Sequence, residues 1–418
     1  MLRTPHLLRQ LCGAIALAIF GPFGIMPASG AEKVLYSFQG GSDGADPYGG
    51  LIADNADNLY GVTGNGGGGT ACQLGCGTLF KLAPNRAETV LHSFAGGDDG
   101  AVPVGALVAD RAGNLYGTTT EQGADSYGTV FEFSASGTES VLYAFKGGSD
   151  GVYPVGNLLI DHGGNLYGAT LEGGSYYNSE CSSGCGTVFR ISPNGTKTIL
   201  YTFQGGNDGS APDAGLTMDT SGNLYGTTFG GGAGNPQNCD NPPRGCGTVF
   251  KIAPNGAESI VYAFQGGSGG FWPNGRLTMD GAGNLYGTTI SGGGATNCQY
   301  GCGTVFRIAP NRTETILYTF QGGNDGDAPE AGPVMDKSGN LYGTTSGGGG
   351  AGCHTRPSGC GTVYKLAPDG TETVLSTFGA KHGRNPDSAL LIGRHDLLYG
   401  IAPTGGTDDD GVVFSVRE

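Results

Sequence analysis

Three acidic side chains stand where acid–base chemistry can be done. Asp213, Glu330 and Asp387 each follow a proline at one recurring place in the chain. Elsewhere that place holds Tyr48, Val104, Val155 or Asn274, so the acids depart from a common pattern. Two carboxyls flanking a glycosidic bond can act as acid and base or nucleophile, and a nearby cation can hold the substrate. Arg276 is the candidate cation. The same side chains read equally well as solvated loop ends of an acidic protein.

A second departure is Phe271-Trp272, which carries the only tryptophan and stands where other copies have Asp-Gly nearby. An exposed aromatic pair can stack on a sugar ring or anchor a protein partner. The alternative is a local plug over the core. His382 and Arg384 replace the usual Asp-Gly in the last copy and complete the candidate ligand-binding set. The common Asp-Gly loops hold Asp43, Asp99, Asp150, Asp208 and Asp325. Calcium takes oxygen ligands, but it needs several carboxylates per loop and most copies have one. We read these aspartates as caps on their own turns and expect no cofactor.

Besides Cys12 the cysteines fall into five close pairs: Cys72/Cys76, Cys181/Cys185, Cys239/Cys246, Cys298/Cys302 and Cys353/Cys360. Two other units lose both members together, which argues for local partners, hence five intra-loop disulfides in an oxidising compartment. Closing loops this short yields only about 2 kcal/mol each, so the bridges are expected to shape loops more than hold the molecule together. A zinc site would need four ligands, and no histidine recurs beside the pairs, so no metal is expected. Nucleophile-elbow, phosphate-loop and metalloprotease His motifs are absent from the sequence.

The elements that must position these residues are repeats. Gly222-Asn223-Leu224-Tyr225-Gly226-Thr227-Thr228 has close copies at Asn58, Asn114, Asn165, Asn284 and Asn340, and a worn one at Leu397. Units spaced by 51 to 61 residues each contain four strand-like runs, here called a to d, with tight a–b and c–d turns and long b–c and d–a loops. No helical periodicity appears beyond the first residues. This predicts an all-β fold, a seven-bladed β-propeller with one four-stranded antiparallel blade per unit. Val34–Phe38 is a d strand without a unit, and Val412–Val416 a c strand lacking its d. Pairing them closes the ring. The long loops then share one face, where binding residues tend to sit. The Asn-Leu-Tyr-Gly tyrosine is expected in the blade-to-blade core, its glycine letting adjacent sheets approach.

Residues 1–31 read as a cleaved secretory signal: Arg3 and Arg9, an apolar run over 11–20, then small residues before position 32. Residues 32–418 are then a single propeller. Glycine, 85 of 418 residues, marks turns between apolar runs. A formal charge of −15 disfavours nucleic acid and anionic lipid. With no apolar C-terminal tail either, we expect a secreted or periplasmic monomer without a membrane span.

The unit Gly-Asn-Leu-Tyr-Gly-Thr-Thr … Gly-Cys-Gly-Thr-Val-Phe-Lys-Ile-Ala-Pro-Asn-Gly … Val-Leu-Tyr-Ser-Phe-Gln-Gly-Gly resembles the tandem repeats of bacterial choice-of-anchor GloVer-containing proteins, over residues 33–416. Its Asp-x-x-Gly-Asn-Leu-Tyr hairpin is similar to NHL and gluconolactonase-type propellers. The GloVer resemblance implies an exported repeat protein, often surface-attached, with no established activity. The expected function is binding or scaffolding of an extracellular glycan or protein through the long-loop face. The alternative is a glycan-active hydrolase or lyase using the three acids.

Overall fold

An aspartate four residues before an asparagine and six before a tyrosine builds the first hairpin of six units. Asp54 accepts the backbone N–H of Ala56 and of Asn58, the Asn58 side-chain amide at 2.7 Å and the Tyr60 hydroxyl at 3.0 Å. Asp110, Asp161, Asp219, Asp280 and Asp336 repeat the arrangement. Four donors hold each of these carboxyls ionised, well below the usual carboxylate range. Each tyrosine ring packs beside the core while its hydroxyl closes its own turn.

A computed structural model describes residues 32–179, 181–232, 239, 245–349, 353 and 359–418, and the expected leader lies outside them. Seven antiparallel sheets follow one another around a ring. The first blade has strands a–d at Ala45–Ala53, Leu59–Asn65, Thr78–Leu82 and Glu88–Ser93. Blades two to six span 101–144, 152–202, 217–263, 271–319 and 334–377. The seventh takes Leu391–Ile392, Leu397–Ala402 and Val412–Arg417 from one end and Lys33–Ser37 from the other. Lys33 opposes Ser415 and Ser37 opposes Val412, which is the closure expected.

Buried threonines join strands b and c. Thr63 and Thr78 hydroxyls lie 2.9 Å apart, and five more blades have such a pair at 2.8 Å. The seventh blade has Ala402 opposite Val412 there. The glycine after each tyrosine does something other than admit a neighbouring sheet. A Cβ on Gly61 would lie 2.6 Å from the Phe80 ring of the same blade. That ring meets Phe38 of the preceding blade edge-on, centroids 5.1 Å apart. Equivalent pairs occupy all seven blade junctions, ending at Phe378 and Phe414. Each adds about 0.5–1.5 kcal/mol beyond its area.

A backbone latch also joins the blades. The N–H of the residue before each recurring proline donates to the carbonyl of the residue before Gly-Thr-Val, as Val102 does to Cys76 and Trp272 to Cys246. Asp46 bonds Asp410 in the same way at the closing junction. Each of those glycines sits under the next blade's proline; a Cβ on Gly247 would lie 2.5 Å from Pro273 Cδ. All seven residues before the proline have left-handed backbone, from Asp46 at φ 51° to Trp272 at φ 58°.

Five disulfides form with the pairing expected, Cys72–Cys76, Cys181–Cys185, Cys239–Cys246, Cys298–Cys302 and Cys353–Cys360, their Cα–Cα separations running from 5.0 to 5.3 Å. The bridges reach further inward than loop positions suggest, and in two pairs the first cysteine, Cys239 or Cys353, is buried as well as the second. Cys76, Cys185, Cys246, Cys302 and Cys360 are all buried and belong to the core rather than to a surface loop. Cys185 packs with Val188 and Phe203, Cys302 with Val305 and Phe320, and Cys360 with Val363 and Phe378. The reason is the latch, which fixes this residue at the junction. Cys185 accepts the N–H of Ala211 from the next blade, Cys302 that of Ala328 and Cys360 that of Asn385. Each bridge therefore ties its b–c loop down onto the core. Among the described residues no helix is long and apolar enough to cross a membrane.

Candidate functional site

The latch aims the next side chain. Tyr48, Val104, Val155, Asp213, Asn274, Glu330 and Asp387, one per blade, line a cavity of about 290 Å³ at the long-loop end of the central channel. The three candidate acids are therefore brought together. Each keeps one side open to the cavity and is walled by protein elsewhere, and this desolvation pushes all three carboxyls up, Asp387 to about 7. Glu330 is the hub: after burial, its charge also raises Asp213, Asp387 and Asp327, while burial, then Asp387 and Asp46, push Tyr48 up to about 12. The Ser346 hydroxyl donates to Glu330 Oε1 at 2.7 Å. Asp387 Oδ1 is buried without a partner. Asp387, at about 7, is partly protonated at neutral pH and can both donate and accept.

Asp213 also borders a cleft of about 270 Å³ between the third and fourth blades, with Glu172, Ser182, Ser183 and Phe229. Phe229 stacks on Trp272, centroids 5.2 Å apart and planes 16° apart. The expected exposed Phe271-Trp272 pair is corrected here. Phe271 is 3% exposed and packs into the core, because the left-handed Trp272 turns Phe271 and Pro273 inward together. Trp272 alone stays half-buried.

Arg276 is corrected as a partner of the acids. Burial depresses its guanidinium, and no carboxyl contributes to its titration or is shifted by it. Its Nε donates instead to Thr217 Oγ1 at 3.4 Å, in the neighbouring blade. His382 and Arg384 lie outside the cavity. His382 is exposed, while Arg384 pairs with Asp409 and bonds Thr404 through its backbone.

The loop aspartates are occupied by protein donors. Asp208 accepts the Tyr201 hydroxyl at 2.6 Å and the Gln204 N–H at 2.7 Å, and Asp43, Asp150 and Asp325 do the same. Facing them across each junction is the first residue of the next d strand, which the sequence reading passed over. Burial, then the facing aspartate, raises Glu88, Glu258 and Glu372 to about 7. At the third-blade junction Lys197 takes that place, its Nζ 2.9 Å from Asp150 Oδ1 and 4.4 Å from the Phe145 ring centroid. Where Gly269 replaces the aspartate, the Tyr262 hydroxyl turns to Glu314 at 2.6 Å. The fixed Glu or Lys opening strand d was the available signal.

Among the described residues only His92, Asp99 and Glu139 gather three ligand-type atoms within 4.8 Å of one another. Asp99 there already accepts from Ala95 N–H and His92 and shares a hydrogen bond with Glu139. The channel acids form no such compact group.

The fold and its ring of repeats thus define a seven-bladed β-propeller protein. Residues 22–181, 73–299 and 295–418 match the model of the Gloeobacter/Verrucomicrobia repeat, and the chain belongs to that family. Among solved structures, a gluconolactonase from Xanthomonas campestris is 15% identical, with a TM-score of 0.42 over 73% of this chain and 82% of that one. A luciferin-regenerating enzyme is 14% identical, with a TM-score of 0.45 over 75% and 90%. These likenesses transfer no activity. No curated protein matches the chain.

Proposed function

We propose that this protein is an exported glycan-binding propeller whose ligand enters the channel at its long-loop end. The observation carrying this reading is the convergence of Asp213, Glu330 and Asp387, from three blades, on one cavity. Seven-fold packing does not require them, since Val104 and Val155 occupy the same place in other blades. Carboxyls raised by burial, Asp387 to about 7, offer the donor and acceptor character that sugar hydroxyls pair with. The adjoining cleft and the Phe229–Trp272 stack supply a polar wall and an aromatic face of the kind that holds a pyranose. Five disulfides and the basic-then-apolar start support an oxidising, extracytoplasmic site.

The test is a panel of cell-wall and plant polysaccharides offered to the mature protein and to Asp387→Asn, Glu330→Gln and Trp272→Ala. The acid variants should weaken binding at least tenfold. Equal binding by parent and both acid variants removes the site.

A hydrolase or lyase is the second reading. Asp387, raised to about 7 by burial and then by the nearby Glu330, has the property a general acid needs. Release of reducing ends or unsaturated products by the parent and not by Asp387→Asn would decide for it.

A further inference from the structure

The channel has two mouths, and the hydrogen bond of Arg276 lies at the other one. At the end of the tight a–b turns the inner strands of all seven blades surround a wider cavity of about 620 Å³. Arg276 borders both cavities, but Thr217, which takes its Nε–H, lines only this one. Thr217 sends its own proton to the Leu277 carbonyl, leaving a lone pair for the guanidinium. Among the described residues the remaining N–H groups of Arg276 have no protein acceptor. The nearby rim acids Asp219 and Asp280 are not free to serve, because each already accepts from its asparagine, its tyrosine and two backbone N–H groups.

A guanidinium does not give up its proton, and a desolvated charge without a counter-ion is costly to keep. Every other blade fills this strand position with a residue that carries no positive charge: Gly50, Ala106, Asn157, Gly215, Gly332 and Ala389. The packing therefore accepts a small side chain here, and the arginine is a departure as specific as the three acids.

We infer that the tight-turn mouth of the channel is a second binding site, taking a small molecule through a carboxylate or phosphate group that pairs with Arg276. The planar fork suits two parallel hydrogen bonds to such an oxyanion. The cavity leaves room for a body of monosaccharide size behind the anionic group. This site stands independently of the glycan reading for the opposite mouth.

Calorimetric titration of the mature protein at fixed ionic strength, with inorganic phosphate, glucuronate and glucose, tests it. Phosphate and glucuronate should bind the parent. Arg276→Gln should lose that binding tenfold or more, while glucose shows no dependence on Arg276. Arg276→Lys, which keeps the charge but not the fork, should bind weakly, and Thr217→Val should weaken binding by loosening the guanidinium. No binding of either anion to the parent overturns the inference. So does undiminished binding by Arg276→Gln, or, should that variant not fold, by both Arg276→Lys and Thr217→Val.

Discussion

Carboxyls are buried in two places in this ring, and the two places differ in kind. At the blade junctions the pattern repeats: loop aspartate, tyrosine hydroxyl and the first residue of the next d strand meet again and again, with Lys197, Gly269 and His92 as local variations. At the channel mouth Asp213, Glu330 and Asp387 have no counterpart in the other blades, and Asp387 Oδ1 is left without a partner. A feature repeated at most junctions follows from how blades pack. One confined to three blades has to be explained by something outside the ring.

The sharpest test of this contrast removes a junction residue. Phe250→Ala deletes a ring that is fully buried between Phe203 and its own strand, and should cost about 3–5 kcal/mol in urea denaturation. Ligand binding by the molecules still folded should be unchanged. A cost below about 1 kcal/mol would break the assignment of the aromatic pairs as the inter-blade joint.

Asp387→Asn should do the reverse, abolishing binding while leaving the fold at least as stable. The sign follows from linkage. Asp387 is raised to about 7 when folded, above an unfolded value near 3.9, so the folded state holds the extra proton and loses stability as pH climbs between the two. The loss amounts to ~1.4 kcal/mol for each pKa unit of difference, as an upper bound. Melting curves of the asparagine variant should accordingly lie above the parent at pH 8 and approach it at pH 4. A variant less stable at pH 8 would make Asp387 a structural residue.

Removal of one disulfide is expected to matter less. Each bridge closes a loop so short that it contributes about 2 kcal/mol. The latch beside it uses backbone atoms, and it persists at Tyr127 and Asp410, where no cysteine exists. Because Cys76 is buried, alanine is the fair replacement; a serine there would bury a hydroxyl. Cys72→Ala with Cys76→Ala should lower the melting temperature by a few degrees and keep the circular dichroism spectrum. Collapse of the spectrum would mean the bridges, not the latches, join the blades.

The smallest effect should come from Glu258→Lys, which copies the Lys197–Asp150 pair onto Asp208. Glu88, Glu258 and Glu372 rise to about 7 and Glu32 to about 8, so the parent should be more stable at pH 5 than at pH 8.5. The lysine variant should flatten that slope slightly. These groups are half-exposed, so solvent screening keeps the change small. A steeper slope would count against the facing-acid account.

The ring was legible because its evidence is periodic: seven units, tight turns at Pro-Asn-Gly, and an orphan d strand at Val34 to match an orphan c strand at Val412. The convergence of the three acids was legible too, since the repeat register puts them level on blades four, six and seven. What could not be read was direction. Phe271 turns inward because Trp272 adopts φ 58°, and Arg276, at the border of the acids' cavity, bonds Thr217 of the neighbouring blade rather than a carboxyl. Cys185, Cys302 and Cys360 looked like loop residues, and only the latch from the next blade puts them in the core. The partner of each Asn-Leu-Tyr-Gly tyrosine lay in plain view six residues upstream. It was missed because hydrophobic pattern, not hydrogen-bond demand, guided the reading.

The strand at 33–37 finds its partner only at 412–417, so a segment at the start of the first unit must wait for one made after all the other blades. A molecule halted before residue 412 carries two open β edges, one at each end of an incomplete circle, and each can recruit the complementary edge of another copy. The ring therefore stays open, and its edges exposed, until the segment 412–417 is in place.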